Sequence, residues 1–401
     1  MWPRGHFSIY ETVLVTPTSP KERTTGSARI ASVDQIRGYA ILGMMLVNAK
    51  GLFFKPMAAW FEAGSTGESV YSFLIYQLSH HRTTFSYADT IAPLFLFVVG
   101  MGMRLSWLRR VEQVGGNETR KAFVRRFGLM ILIAFGIYAG WLWDALMDIG
   151  LAGLLAVPFI HREPRTRIFI AFAYVAAYHG LFHLTSYGEW MMHRHWSADD
   201  ETYVPLLVRL VPIHSELFSA RLNGGPLGPL SWSMMLLFGS VAYDWFSGDK
   251  RRFVVRSLMW GVMLCLLGLA LRSGWLGLKP EWPFSARWMT APFPLWATCL
   301  CLFHLLAFHF ICDRLNLRIP TCTVVGMNPL VIYIIHIPVL DVADGFRPEH
   351  SPLQSGWLAS YCFTPPSQGS HGNFTSGESL SRSDRHLIVA PGPQLHTSEG
   401  L

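Results

Sequence analysis

The chain has 401 residues, of which 51% are hydrophobic and only 15% charged, with a formal net charge of +7. A soluble globular chain carries about 25% charged residues, and here the apolar residues are gathered into long blocks that raise the mean hydropathy to +0.29. An ordinary soluble domain is excluded, and no nucleic-acid partner is implied, because the positive charge sits in short loops between apolar segments.

Residues 1–28 are rich in Ser, Thr, Lys and Arg and lack the apolar core of a cleavable signal peptide. They are expected to form a disordered cytoplasmic tail, with the first apolar helix as an uncleaved anchor. A transmembrane domain is expected over 29–343. Blocks near the ~20-residue spanning length lie at 36–54, 91–108, 127–143, 146–160, 168–184, 229–246, 253–271, 291–311 and 323–340. The expected fold is therefore an all-α, polytopic transmembrane bundle of about nine spans, with 146–160 short enough for a partial one. The cysteines Cys265, Cys299, Cys301, Cys312, Cys322 and Cys362 fall mostly in apolar runs, where they read as small buried side chains and not as a disulfide framework.

Loop charge orients the blocks. Arg109, Arg110, Arg120, Lys121, Arg125 and Arg126 separate the second block from the third. Arg162, Arg165 and Arg167, then Lys250, Arg251 and Arg252, then Arg314 and Arg318 recur in alternate loops. By the positive-inside rule these loops and the N-terminus are cytoplasmic. The two long loops, about 55–90 and 185–228, then face outward.

Two polar segments interrupt the apolar pattern. "SVDQIRGYAILGMMLVNAKG" (32–51) places Asp34 and Arg37 three apart on one face at the inner mouth of the first helix. Asn48 lies further along, roughly 16 Å beyond Arg37, where a polar amide bonds a neighbouring helix or lines a cavity. "HHRTTFSYADTIAPLFLFVVG" (80–100) places His80 and His81 ahead of Asp89 at the outer end of the second helix. Helix capping is the commoner use of such an Asp, and Ser86 can cap as well. The alternative is a carboxylate that orients and charges a catalytic imidazole.

Together these segments resemble the heparan-α-glucosaminide N-acetyltransferase family and its bacterial relatives. Weaker matches are "NGGPLGPLSWSMMLLFGSVAYDW", "WPFSARWMTAPFPLWATCL" and "VGMNPLVIYIIH", so the resemblance runs from about residue 29 to 340. It implies transfer of an acyl, in the family an acetyl, group from cytosolic acyl-CoA as co-substrate to an extracytoplasmic sugar or glycan. It implies no metal, a multi-pass location in a bacterial inner (plasma) membrane, and leaves room for a homodimer. The family's His-x-x-Trp-x-Gly register falls on Ser79, and a one-residue deletion restores His80, which is therefore favoured over His81 for the role of base or acyl carrier that the resemblance implies. Asp89 and Asn48 match the family's acid and amide, and Asp34 with Arg37 its Asp…Arg pair. Arg104, Arg110, Arg125 and Arg126 are candidates to meet the donor's phosphates, although most arginines there read equally as topology determinants. A multi-pass transporter or lipid-handling protein is the alternative function, with the same polar residues lining a pathway.

Other features carry less. His179 and His183 have a metal-compatible i, i+4 spacing but no third ligand. "NGGPLGPL" (223–230) reads as a helix entry. Residues 344–401 are rich in Ser, Gly, Pro and His and are expected to be disordered, where the relatives carry a further span.

Overall fold

The computed structural model describes residues 31–81, 83–137, 143–192, 223–273 and 282–345. The tail expected over 1–28 and nearly all of that over 344–401 lie outside them, as does most of the second long loop. Among the described residues every regular element is a helix and none is a strand. In chain order these are α1 (Ala31–Phe53), α2 (Thr66–Gln77), α3 (Ala88–Ile137), α4 (Ala145–Ala156), α5 (Pro164–Leu184) and α6 (Tyr187–Met192). They continue with α7 (Gly228–Ser247), α8 (Lys250–Ser273), α9 (Pro292–Phe308), α10 (Pro320–Met327) and α11 (Pro329–Gly345). Among the described residues, four helices are long and apolar enough to cross a bilayer: Ala88–Gly136, Pro164–Leu184, Lys250–Ser273 and Pro292–Arg314. The pair α10–α11 makes a fifth if counted as one span.

Three of the expected blocks depart from separate straight helices. The block at 323–340 is bent by 98° between α10 and α11. Pro329 has no N–H and disfavours helical geometry at Asn328, whose φ is −130° and ψ 55°. The second and third blocks share α3, which breaks at Gly115 (φ 79°, ψ 168°), a conformation that glycine adopts without a Cβ penalty. Trp107 and Phe123 would sit about 24 Å apart along an unbroken helix. Their ring centroids are 6.4 Å apart, so the two arms of α3 fold back on each other.

Hydrogen bonds between elements sort the helix ends into two layers. In one layer, Gln35 bonds the Ile319 carbonyl and amide at 3.0 Å each, and Asp313 accepts from Ser32 N at 3.3 Å. The same layer holds Arg104 with Asp244, and Arg167 with Ser240 and Asp244. In the other layer, Lys50 Nζ donates to Leu78 O at 3.1 Å, Asn48 meets His336, and Asn223 donates to Asp148 at 2.9 Å. From Asp89 to Arg104, along the first arm of α3, the layers are roughly 22 Å apart.

Close glycine crossings hold the layers in register. A Cβ at Gly100 would lie 1.9 Å from Leu236 O, and one at Gly239 would lie 1.9 Å from Phe97 O. Glycines on both helices thus let the backbones of α3 and α7 touch, as small residues do where lipid gives no hydrophobic drive between helices. Gly38 against Cys322 O, and Gly326 against Asp34 O, make the same kind of contact between α1 and α10. Replacing Gly239 with Ala should therefore lower thermal stability in detergent by about 1–3 kcal/mol, the usual cost of overpacking. Gly128 has no atom within 4 Å of a built Cβ, so Gly128→Ala should leave the melting temperature unchanged or slightly raised. Equal losses at both positions would contradict the crossing.

Candidate functional site

The segment before α3 folds around Asp89, whose two carboxylate oxygens have separate tasks. Oδ2 accepts from Ser86 N at 2.9 Å and lies 3.0 Å from Ser86 Oγ, whose proton is shared with Ser79 O at 2.7 Å. This is the capping use, in which an acid in the first turn of a helix accepts the N–H of a residue three positions earlier, just before the helix. Oδ1 lies 2.7 Å from His80 Nδ1. Both uses of the Asp therefore coexist on one side chain. Asp89 is only 3% exposed, whereas 36% of the His80 side chain is exposed. A buried acid grips a partly exposed imidazole.

The neighbouring histidine points elsewhere. His81 stacks on Tyr76, with ring centroids 4.0 Å apart, and its Nε2 lies 2.9 Å from Tyr76 O. The local turn thus brings His80, and not His81, to the acid. Phe85 anchors this turn to the start of α9, with its ring 5.6 Å from Phe293 and 6.4 Å from Trp296.

Asn48 stands one residue beyond Val47, which packs with Leu78, Ala88 and Ile91 beneath the same turn. Its Nδ2 lies 2.8 Å from Nε2 of His336, a buried residue of α11. The His336 Nδ1 bonds Tyr333 O, which can only accept, so Nδ1 carries the proton and Nε2 accepts from Asn48. His336 is the site residue that sequence reasoning missed. Its signal, a histidine inside "IYIIHIP", does not separate a packed imidazole from a working one.

At the opposite layer, Arg37 Nη1 is 3.4 Å from Asp34 Oδ1 and 3.3 Å from Gly326 O. A Cβ at Gly102 would come within 3.6 Å of Arg37 Nη2, so this pair also meets the first arm of α3. Arg104 donates to Asp244 at 2.8 Å and to Ile160 O at 2.7 Å, and is thereby committed to structure. Arg110, Arg125 and Arg126 are exposed on the two arms of α3. His161, in the turn between α4 and α5, has its pKa pushed down by burial and then by Arg162, Arg120 and Arg104. Burial is the larger cause, and the three arginines place further positive charge around the turn.

His179 and His183 lie edge to face at 4.2 Å, and His183 stacks on Trp282 at 5.3 Å. Among the described residues no group of three or more His, Cys, Asp or Glu side chains converges as a metal site. Asn223 (φ 52°), Gly224 (φ 82°) and Gly225 (φ 61°) form a left-handed turn directly before α7, the helix entry that "NGGPLGPL" suggested.

No family model matches the chain. Over 141 residues it is 28% identical to the "Uncharacterized 39.9 kDa protein in amylase 3'region" of Bacillus acidopullulyticus. The match covers 35% of this chain and 37% of that protein, so the chain spans little more than a third of the relative it matches.

The Asn48–His336 bond makes a direct prediction. His336→Leu should cost about 1–3 kcal/mol of thermal stability in detergent, because it strands the Asn48 amide in an apolar bundle. His336→Gln offers an acceptor and should recover much of that loss. Identical behaviour of the two variants would argue against the bond.

Proposed function

We propose that the protein is a membrane acyltransferase that moves an acetyl group from cytosolic acetyl-CoA to a sugar or glycan on the other face. The observation that carries this reading is the buried Asp89 bonded to the partly exposed His80, roughly 22 Å along the first arm of α3 from the layer that holds Arg104. The motif resemblance supplies the reaction class. In this reading about nine segments cross the bilayer, a bacterial inner membrane. The N-terminus and the layer of Arg37 and Arg104 are cytoplasmic, because the Lys- and Arg-rich loops all join helix ends of that layer.

The chemistry follows from the tautomer. An ionised Asp89 only accepts, so His80 Nδ1 carries the proton and Nε2 presents a lone pair. Nε2 removes the proton from the acceptor's amine or hydroxyl as that atom attacks the thioester carbonyl carbon. The carbon–sulfur bond then breaks, and the imidazolium returns the proton to the departing thiolate, releasing CoA. Asp89 stabilises the imidazolium between the two steps. Asn48, with one amide hydrogen on His336, keeps a second for the oxyanion. Exposed Arg110, Arg125 and Arg126 at the cytoplasmic layer meet the donor's phosphates, and its acyl arm reaches between the helices toward His80.

A second reading is a transporter. The broken α10–α11 pair favours it, since interrupted helices line transport sites in many carriers. Release of CoA from acetyl-CoA separates the two. His80→Ala should abolish release and transfer while donor binding persists, and Asp89→Asn should lower kcat with little change in donor affinity. His81→Ala should be mild. Full activity in both His80→Ala and His81→Ala would sink the histidine mechanism, and absence of CoA release by the wild-type protein would sink the acyltransferase reading.

A further inference from the structure

The helix before the His80 turn has no place in the chemistry above. α2 carries its own start signal: Ser65 Oγ accepts from Glu68 N at 3.1 Å, and Glu68 Oε2 accepts from Gly64 N at 2.5 Å. Yet none of its twelve residues is buried. An isolated helix of fewer than about 12–15 residues is marginal in water even with good helix formers. One side of α2, with Tyr71 and Ile75, is half-buried, and Phe61 packs on Tyr71; its other side needs an apolar surface.

Its exposed side chains show which surface. Val70, Phe73 and Leu74, at helical i, i+3, i+4 spacing, are 54%, 60% and 47% exposed. Glu68 and Ser72 lie on the opposite side of the helix. Just upstream, Trp60 is 74% exposed. A short amphipathic helix with aromatic side chains on its apolar side suits the boundary between headgroups and acyl chains.

The flanking helices fix the level. Lys50, in the last turn of α1, donates to Leu78 O at the end of α2, and α3 begins at Ala88. α2 thus lies where two apolar helices end. The exposed stripe of α1 runs on toward it, since Leu46 and Phe53 are seven residues apart on one face and 41% and 60% exposed. We infer that α2 is an interfacial helix, docked on the bilayer surface at the His80 end with Val70, Phe73 and Leu74 among the lipids. This holds whether or not the protein is an acyltransferase.

Photo-crosslinking in phospholipid nanodiscs tests the inference. A benzophenone amino acid is placed at Phe73 or Val70, and at Ser72 as the control, in the full chain. The adducts are identified by mass spectrometry. Phospholipid adducts at 73 and 70, several-fold above those at 72, are expected. Adducts to another segment of this chain, such as the 193–222 loop, or to a second copy would overturn the inference. So would lipid labelling at 73 and 70 no stronger than at 72.

Discussion

A carboxylate in an apolar bundle is held there only by its hydrogen bonds. Asp89 is almost fully buried, and an unpartnered buried charge would cost several kcal/mol or would neutralise itself. Ser86 and His80 therefore cannot be independent of it: one oxygen starts α3 and the other fixes the imidazole. From this node the contacts spread outward. The His80 turn rests on Val47 of α1 and on Lys50, and the next residue, Asn48, reaches His336 on the broken last helix. Three distant parts of the chain converge on one end of the bundle, where their polar groups find partners in one another.

The opposite end is organised by charge and by glycine. Asp244 takes bonds from Arg104 and Arg167, which binds α3, α5 and α7 where the basic loops begin. The helices approach closely at Gly100 and Gly239, and near Arg37 at Gly38 and Gly326, close enough for backbone contact. A methyl group at any of these four would push the crossing helices apart and shift the relation between the His80 end and the arginine end. Packing and chemistry are linked at those positions.

Much of this was legible in the sequence. The apolar blocks became helices, whereas the spacing from His80 to Asp89 read first as helix capping, with the His–Asp pair as the alternative that the family resemblance supported. The preference for His80 over His81 rested on a one-residue gap in the family register, whereas the physical reason, Tyr76 stacking on His81, had no signal in the sequence. Neither was the commitment of Arg104, whose partner Asp244 is 140 residues away. The bend at Asn328–Pro329 had a signal in the dipeptide itself, which the long apolar run around it obscured. His336 had no distinguishing signal, since only its bond to Asn48 sets it apart from a packed core histidine.

The central claim is that one group crosses the membrane while neither whole substrate does. Proteoliposomes with an amino sugar or glycan acceptor trapped inside and radiolabelled acetyl-CoA outside test this most directly, for vesicles in which the Arg104 end faces out. The account predicts acetylated acceptor inside and free CoA outside, with the label's nucleotide part never entering. Escape of unmodified acceptor, or entry of intact acetyl-CoA, without acetylation would contradict it.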